Sequence, residues 1–293
     1  VKWRDLPLSD PPTYVEDVDT LVRQSTIGQL QFCGQRVALE GQEGFLAAVS
    51  EPMCFGTLTH YIISEDLVLG EGERLDMLAN MVDWVEPILV EEYDWSLEQV
   101  PNVQDFFAEI AVAYTNWRIN VHPLISNKKI LAVEKQGELY LGEGKSSNIF
   151  LGGTGDLVLD DLIIDWKTAN RDWKKGKADL SIQASVYMAM YKQVLDVNIR
   201  DFTFWVYDRS RVVWVPHATE RTIPQIDSAL QTAYNYGLQL EAGIYPATPV
   251  PEASFVKKRG WYCGVRYCGG WNLCTSKYLQ DSVDESVIAE RTW

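Results

Sequence analysis

Asp156, Asp165 and Lys167 are the residues of this chain whose types and spacing suggest chemistry most directly. The apolar run Leu162 to Ile164 reads as a buried strand that leads straight into Asp165-Trp166-Lys167. Side chains alternate along a strand, so Asp165 and Lys167 share one face while Ile164 and Trp166 share the other. A carboxylate and an ammonium at the end of a buried strand both lose hydration, and stability alone rarely puts them there. Asp156 lies close upstream, and the tight spacing implies a short hairpin around Asp160 and Asp161. Two carboxylates can hold a hard divalent cation, which takes oxygen ligands, and the Trp166 carbonyl stands to add another. Lys167 can orient an attacking water and steady charge on a phosphate. These are the parts that phosphodiester cleavage requires. The competing reading is a surface salt bridge at a strand end, with Asp160 and Asp161 as turn residues.

The elements that must position these groups follow from periodicity. Helices are expected over Ser25 to Glu40 (Ile27, Leu30 and Val37 apolar), Gly56 to Leu69 and Val103 to Trp117. The acidic stretch 71–99 is also helical by period, with Leu75, Leu78, Met81, Val82 and Val85 recurring three and four apart. Short strands are expected at Ile130–Glu134, Leu139–Leu141, Asn148–Leu151, Leu157–Leu159 and Leu162–Trp166, separated by glycine or charged turns. A helix over Leu180–Leu195, strands at Phe202–Tyr207 and Val212–Val215, and a helix over Ile223–Glu241 complete the pattern. Tyr245 to Pro251 reads as a proline-stiffened linker. The class is α/β, or α+β mixed, with a helical insertion. The divisions are an N-terminal arm with helices (1–64), the acidic insertion (65–125), the core (126–242) and a linker with a cysteine-bearing tail (243–293), all in one structural domain.

A net charge of −15 is unusual for a protein that handles nucleic acid, but the acid is concentrated. From Glu65 to Glu109 there are 13 acids and one base, so this block need not face a substrate groove. It could gate a cleft, mimic DNA or engage a protein partner. Arg171, Lys174, Lys175 and Lys177 follow the Asp165/Lys167 strand, and Lys257, Lys258, Arg259 and Arg266 crowd the tail cysteines. Trp173, among these lysines, could stack on a base or cover the domain's own helix. No apolar run is long enough to span a membrane, and the first residues lack a secretory pattern, which sets the expectation of a cytoplasmic chain.

Three motifs in order carry a family resemblance. Gly153-x-x-Asp156, Asp165-x-Lys167-Thr168 and Gln183-x-x-x-Tyr187 are similar to the RecB-type branch of the PD-(D/E)XK nucleases. Gln183 and Tyr187 are four apart and share one helix face; the resemblance implies that they line the cleft and contact DNA. It also implies an upstream histidine ligand in a Gly-x-x-x-His pattern, which Gly56 and His60 fit. His122 and His217 lack such context and read as ordinary hydrogen-bonded residues. Glu134 is a further candidate acid.

Of the five cysteines, Cys263, Cys268 and Cys274 fall close together, and such spacing in a cytosolic chain argues for metal before disulfides. Four thiolates suit zinc or an iron–sulfur cluster. The segment around Cys33 resembles the one that supplies the first cysteine in iron–sulfur RecB-type exonucleases, those of CRISPR-associated, recombination and phage systems. The resemblance implies a four-iron cluster on Cys33, Cys263, Cys268 and Cys274 that staples the two ends of the domain. The sequence departs from that pattern in having four residues between Cys263 and Cys268, where two are usual, and Gly34 where proline is frequent. Cys54 reads as a small core residue.

The expected fold is therefore a PD-(D/E)XK restriction-endonuclease-like core, a mixed central sheet flanked by helices. The expected activity is Mg²⁺- or Mn²⁺-dependent cleavage of DNA ends or single strands, exonucleolytic, with His60, Asp156, Asp165 and Trp166 at the metal and Lys167, Gln183 and Tyr187 beside it. The alternative is a non-catalytic DNA-end or single-strand binding subunit of a larger complex, which would have no use for the Asp/Asp/Lys set.

Overall fold

The structure, a computed structural model, describes residues 13–40, 51–69 and 102–245, with Glu73 and Asn80. The expected helices over 71–99 and the three tail cysteines lie outside these residues. In chain order run β1 (Thr20–Arg23), α1 (Gln24–Phe32), α2 (Gly34–Glu40), α3 (Glu51–Val68), α4 (Val103–Asn120) and α5 (His122–Ile125). Then come β2 (Ile130–Glu143), β3 (Asn148–Leu159), β4 (Ile163–Ala169), α6 (Lys177–Leu180) and α7 (Ile182–Leu195). β5 (Asp201–Asp208), β6 (Val213–Glu220) and α8 (Ile223–Glu241) close the described chain. No helix among the described residues is long and apolar enough to cross a membrane.

Two expectations change. The helix over Ser25 to Glu40 breaks at Cys33, whose backbone is extended (φ −165°, ψ 110°). Gly34 follows it, and glycine is a poor residue for carrying a helix onward. The four expected short strands between Ile130 and Leu159 fuse into β2 and β3. Gly137, Gly153 and Gly155 suggest breaks, and Gly-x-x-Asp suggests a turn, yet all lie inside strands. Glycine is needed there because a neighbour's side chain lies on the strand: a Cβ on Gly137 would come within 3.0 Å of Met190.

The sheet is mixed, in the order β1-β3-β4-β5-β6, with β2 also paired to β3. β2 runs antiparallel along the whole of β3. On the other edge of β3, β1 pairs in parallel with residues 149–152 and β4 pairs antiparallel with Leu157 and Val158. Among the described residues, no strand pairs with residues 153–156 of β3 on that edge. β4 and β5 are parallel, and β5 and β6 antiparallel.

Alternation divides the core between the two faces. Leu157, Leu159, Ile164, Trp166, Trp205 and Tyr207 pack under α3, α4 and α5. Val158, Ile163, Phe202, Phe204 and Val206 pack under α1, α7 and α8. Burying Trp166 and Phe204 completely, as here, makes their truncation cost about 3–5 kcal/mol each. α3 is tied to α4 by buried Asp66, which accepts from Tyr114 Oη (2.8 Å) and Arg118 Nη1 (2.9 Å). Arg209 in the β5–β6 turn bonds Glu51, the first residue of α3, and Glu109 within α4. α3 is thus fixed at both ends, with His60 between them.

Candidate active site

The site forms where β3 and β4 part. Their ladder covers two residue pairs, Leu157–Ile164 and Val158–Ile163, and Asp156 and Asp165 are the next residues along. Asp156 Oδ2 crosses the opening to accept the Trp166 N–H at 2.6 Å. Both carboxylates are buried, at 7% and 1% exposure. Groups from both helical layers reach them here, since no ladder closes the gap.

From the α3 side, His60 Nδ1 lies 3.3 Å from Asp156 Oδ2. The close approach depends on Gly56: a Cβ there would stand 2.9 Å from Thr168 Oγ1 on β4. Glycine of the Gly-x-x-x-His motif thus seats the helix against the strand that carries Lys167. From β2 comes Glu134, placed opposite Asp156 by the register of Val133 with Leu157 and Lys135 with Gly155. Its backbone is left-handed (φ 44°), a conformation glutamate rarely adopts and one that accumulates at functional sites. Ligand atoms of His60, Glu134 and Asp156 all lie within 4.8 Å of one another.

From the α7 side comes a stripe of three residues spaced by four. Gln183 Nε2 donates to Asp165 Oδ1 at 2.6 Å. Tyr187 Oη donates to Thr154 O at 2.6 Å, in the stretch of β3 that, among the described residues, has β2 on one edge and no strand on the other. Tyr191 Oη accepts from Gly155 N (2.7 Å) and donates to Lys135 O (2.6 Å), so one hydroxyl bridges β3 and β2 beside Glu134. Gly153 and Gly155 admit these rings: their Cβ atoms would lie 2.8 Å from Tyr187 and 2.4 Å from Tyr191. The Gly-x-x-Asp motif is a strand window pinned by tyrosines, rather than a turn. Gln183 and Tyr187 are both engaged with the protein itself, Gln183 directing Asp165 and Tyr187 holding β3.

Lys167 Nζ is 2.5 Å from Asp165 Oδ2, on the shared face that alternation requires. Burial opposes its charge, but Asp165 and Asp156 outweigh burial and raise its pKa, so it stays an ammonium. Burial would raise Asp156, yet His60 and Lys167 hold it below the ordinary aspartate range. Burial pushes Asp165 up to about 6 against the pull of Lys167, with Asp156 adding repulsion. Glu134 is exposed overall, yet it is pushed up to about 7, first by the protein atoms crowding its carboxyl and then by Asp156. His60 is raised: burial opposes the imidazolium, and the Asp156 carboxylate prevails. Two carboxyls of raised proton affinity beside a fixed cation mark a candidate acid–base or metal site.

The remaining sequence candidates are placed as follows. His217 Nε2 bonds Asp172 Oδ1 at 2.7 Å, and His122 packs edge-on to Trp117. Trp173 lies against Phe204 and His217 of the sheet, with the Lys177 ammonium 4.1 Å from its ring centroid. It covers strands rather than a helix, and a lysine occupies the position a base would need. Among the described residues, Cys33 is a free, half-buried thiol at the α1–α2 break, and Cys54 is a free thiol in the core. Tyr191 is the site residue that the sequence reading missed. Its signal was present: Gln183, Tyr187 and Tyr191 continue one four-residue repeat down one helix face.

The class that these features define is a mixed α/β chain with a mixed sheet flanked by helices and an acid-lined site at a strand splay. No family profile and no curated protein matches the chain. Among solved structures it is similar to SSO0001, at 12% identity and a TM-score of 0.38, over 90% of this chain and 89% of that one. It is also similar to Scheffersomyces stipitis Rai1 in complex with (3'-NADP)+ and calcium ion, at 10% identity and a TM-score of 0.24, over 78% of this chain and 61% of that one. At these values neither likeness bears on the chemistry.

Proposed function

We propose that this chain is a Mg²⁺- or Mn²⁺-dependent deoxyribonuclease with a PD-(D/E)XK core of the RecB type, acting exonucleolytically on DNA ends or single strands. The observation that carries it is the convergence, in one strand splay, of Asp156, Asp165 and Lys167 with His60 and Gln183. The donor set fits the cation. Carboxylate oxygens suit hard divalent ions, and Mn²⁺ accepts an imidazole beside them. His60 and Asp156 would hold it, with Glu134, Asp165 and the Trp166 carbonyl supplying the further oxygens. When bound, the cation supplies Lewis-acid stabilisation of charge on the scissile phosphate.

The chain's own residues do the rest. Lys167, kept charged by two aspartates, donates to the attacking water and to a phosphate oxygen as negative charge grows there. Gln183 fixes the Asp165 carboxylate, so the acid and Lys167 keep one geometry through turnover.

Cys33, Cys263, Cys268 and Cys274 would hold an iron–sulfur cluster, with zinc as the alternative. A half-buried free thiol at a helix break supports Cys33 in that role. Cys54 suits it poorly, because burial pushes its thiol up to about 11 and the thiolate is the ligand form. Iron and zinc analysis of anaerobically prepared protein decides between the two, a brown preparation with broad visible absorption marking the cluster.

The activity is tested with labelled single-stranded and duplex DNA in Mg²⁺ and Mn²⁺. Degradation by wild type, absent with chelator and absent in Asp165→Ala, is the expected result. Binding without any metal-dependent cleavage would instead make the chain a DNA-end or single-strand binding subunit.

A further inference from the structure

We propose that Lys177 is a second phosphate-binding residue of this site, an ammonium set to hold the nucleic-acid phosphate adjacent to the one at Lys167. The inference rests on the nuclease reading and deepens it. Lys177 stands between the two elements that build the site. β4 ends just after Lys167, the chain turns through residues 170–176, and Lys177 opens α6 immediately before α7 delivers Gln183 to Asp165. Gly176 makes the return with φ +82°, a conformation that favours glycine.

The lysine is held on a rigid stage. Trp173 packs at 5.0 Å from Phe204 and 5.8 Å from His217, ring centroid to centroid. Lys177 Nζ sits over the same ring at 4.1 Å. The loop beneath is pinned through Asp172: its N–H donates to Asp208 Oδ2 (3.0 Å), and its carboxylate meets His217 (2.7 Å) and Arg211 (3.0 Å). So many bonds on a surface loop fix where that one ammonium stands.

The charge itself is left available. Among the described residues no carboxylate forms an ion pair with Lys177, in a chain whose net charge is −15. The acid nearest in sequence, Asp179, instead accepts from Thr219 Oγ1 at 2.7 Å. Phe204, on which Trp173 packs, pairs in register with Asp165 of β4, so the Lys177 ammonium above that ring stands beside the strand that carries Lys167. Lys167 is committed to Asp165. A polyanion crossing the splay would meet both ammoniums, with Lys177 the one free to take a second phosphate.

Binding of a fluorescent oligothymidylate to the full chain in Ca²⁺, measured against salt, tests this. Lys177 is exposed, and Lys177→Met keeps its stem over Trp173 while removing the charge. The slope of log affinity against log salt is expected to become shallower by about 0.7 in Lys177→Met, the value for one lost contact on a single strand. Lys177→Arg is expected to restore it. An unchanged slope in Lys177→Met overturns the proposal, as does an equal loss in both variants. If wild type still degrades DNA in Mg²⁺ with that slope unchanged, the nuclease reading stands and the Lys177 assignment fails. Wild type that neither binds nor cuts overturns both.

Discussion

The β3–β4 pair carries aspartates at both of its ends, and the two ends have opposite character. At the hairpin, Asp160 and Asp161 are exposed, and Asp161 pairs with Lys128 at the surface. A cavity of about 660 Å³ opens there, lined also by Arg200, Asp201, Glu220 and Arg221. Its charges are solvated or already used: Arg221 donates to Ser185 Oγ, Ala178 O and Ser181 O. At the splayed end Asp156 and Asp165 are buried, and a histidine, a lysine and a glutamine converge on them. What separates the ends is strand pairing. Where the ladder ends in a turn, acids face water; where it ends inside the layers, helices bring partners to acids largely withdrawn from it.

Substitutions can break this contrast. Lys167→Met is expected to lower kcat by about 10²–10³ with KM little changed, because its charge acts on what develops in the transition state. Steady-state kinetics on labelled DNA check it. Gln183→Leu removes the donor that orients Asp165, and a loss of about 10–100-fold in activity or metal affinity is expected, with the fold retained by circular dichroism. Tyr191→Phe leaves Gly155 N and Lys135 O without their bridge, and denaturant titration should show a loss of about 1–3 kcal/mol.

Proton competition gives the next effect. Glu134 at about 7 and Asp165 at about 6 must lose protons to ligate, as must His60, whose pKa is raised. Cation affinity should therefore rise as pH rises through this window and level off above it, by calorimetric titration with Mn²⁺. The sign for stability is the reverse. Carboxyls with raised folded pKa values favour the metal-free fold below their unfolded values, and that contribution is lost as pH climbs through about 6 to 7. The smallest effect belongs to the other end: Asp160→Asn with Asp161→Asn should change activity by less than about twofold, as solvated surface substitutions do.

Much of the site was legible because local rules governed it. Strand alternation alone put Asp165 and Lys167 on one face, and a four-residue interval put Gln183 and Tyr187 on another. The order of helices and strands fixed the class, and the last helix, Ile223–Glu241, has the expected bounds. The rest depended on contacts between distant segments. Gly153 and Gly155 looked like turn residues because nothing local shows that Tyr187 and Tyr191 fill the space above them. Glu134 could be ranked only as a candidate acid, since its place opposite Asp156 follows from strand register and from a left-handed backbone that its sequence does not announce. Trp173 invited a base-stacking role until the sheet beneath it and the lysine above it were seen.

The most direct test places both ends of the hairpin in one assay. Mn²⁺-dependent release of nucleotides from labelled single-stranded DNA is followed for wild type, Asp156→Asn and the Asp160→Asn/Asp161→Asn double variant. Activity in wild type and the double variant, with none above the chelator background in Asp156→Asn, is the result expected of a nuclease site in the β3–β4 splay. Equal cleavage by Asp156→Asn and wild type would contradict it.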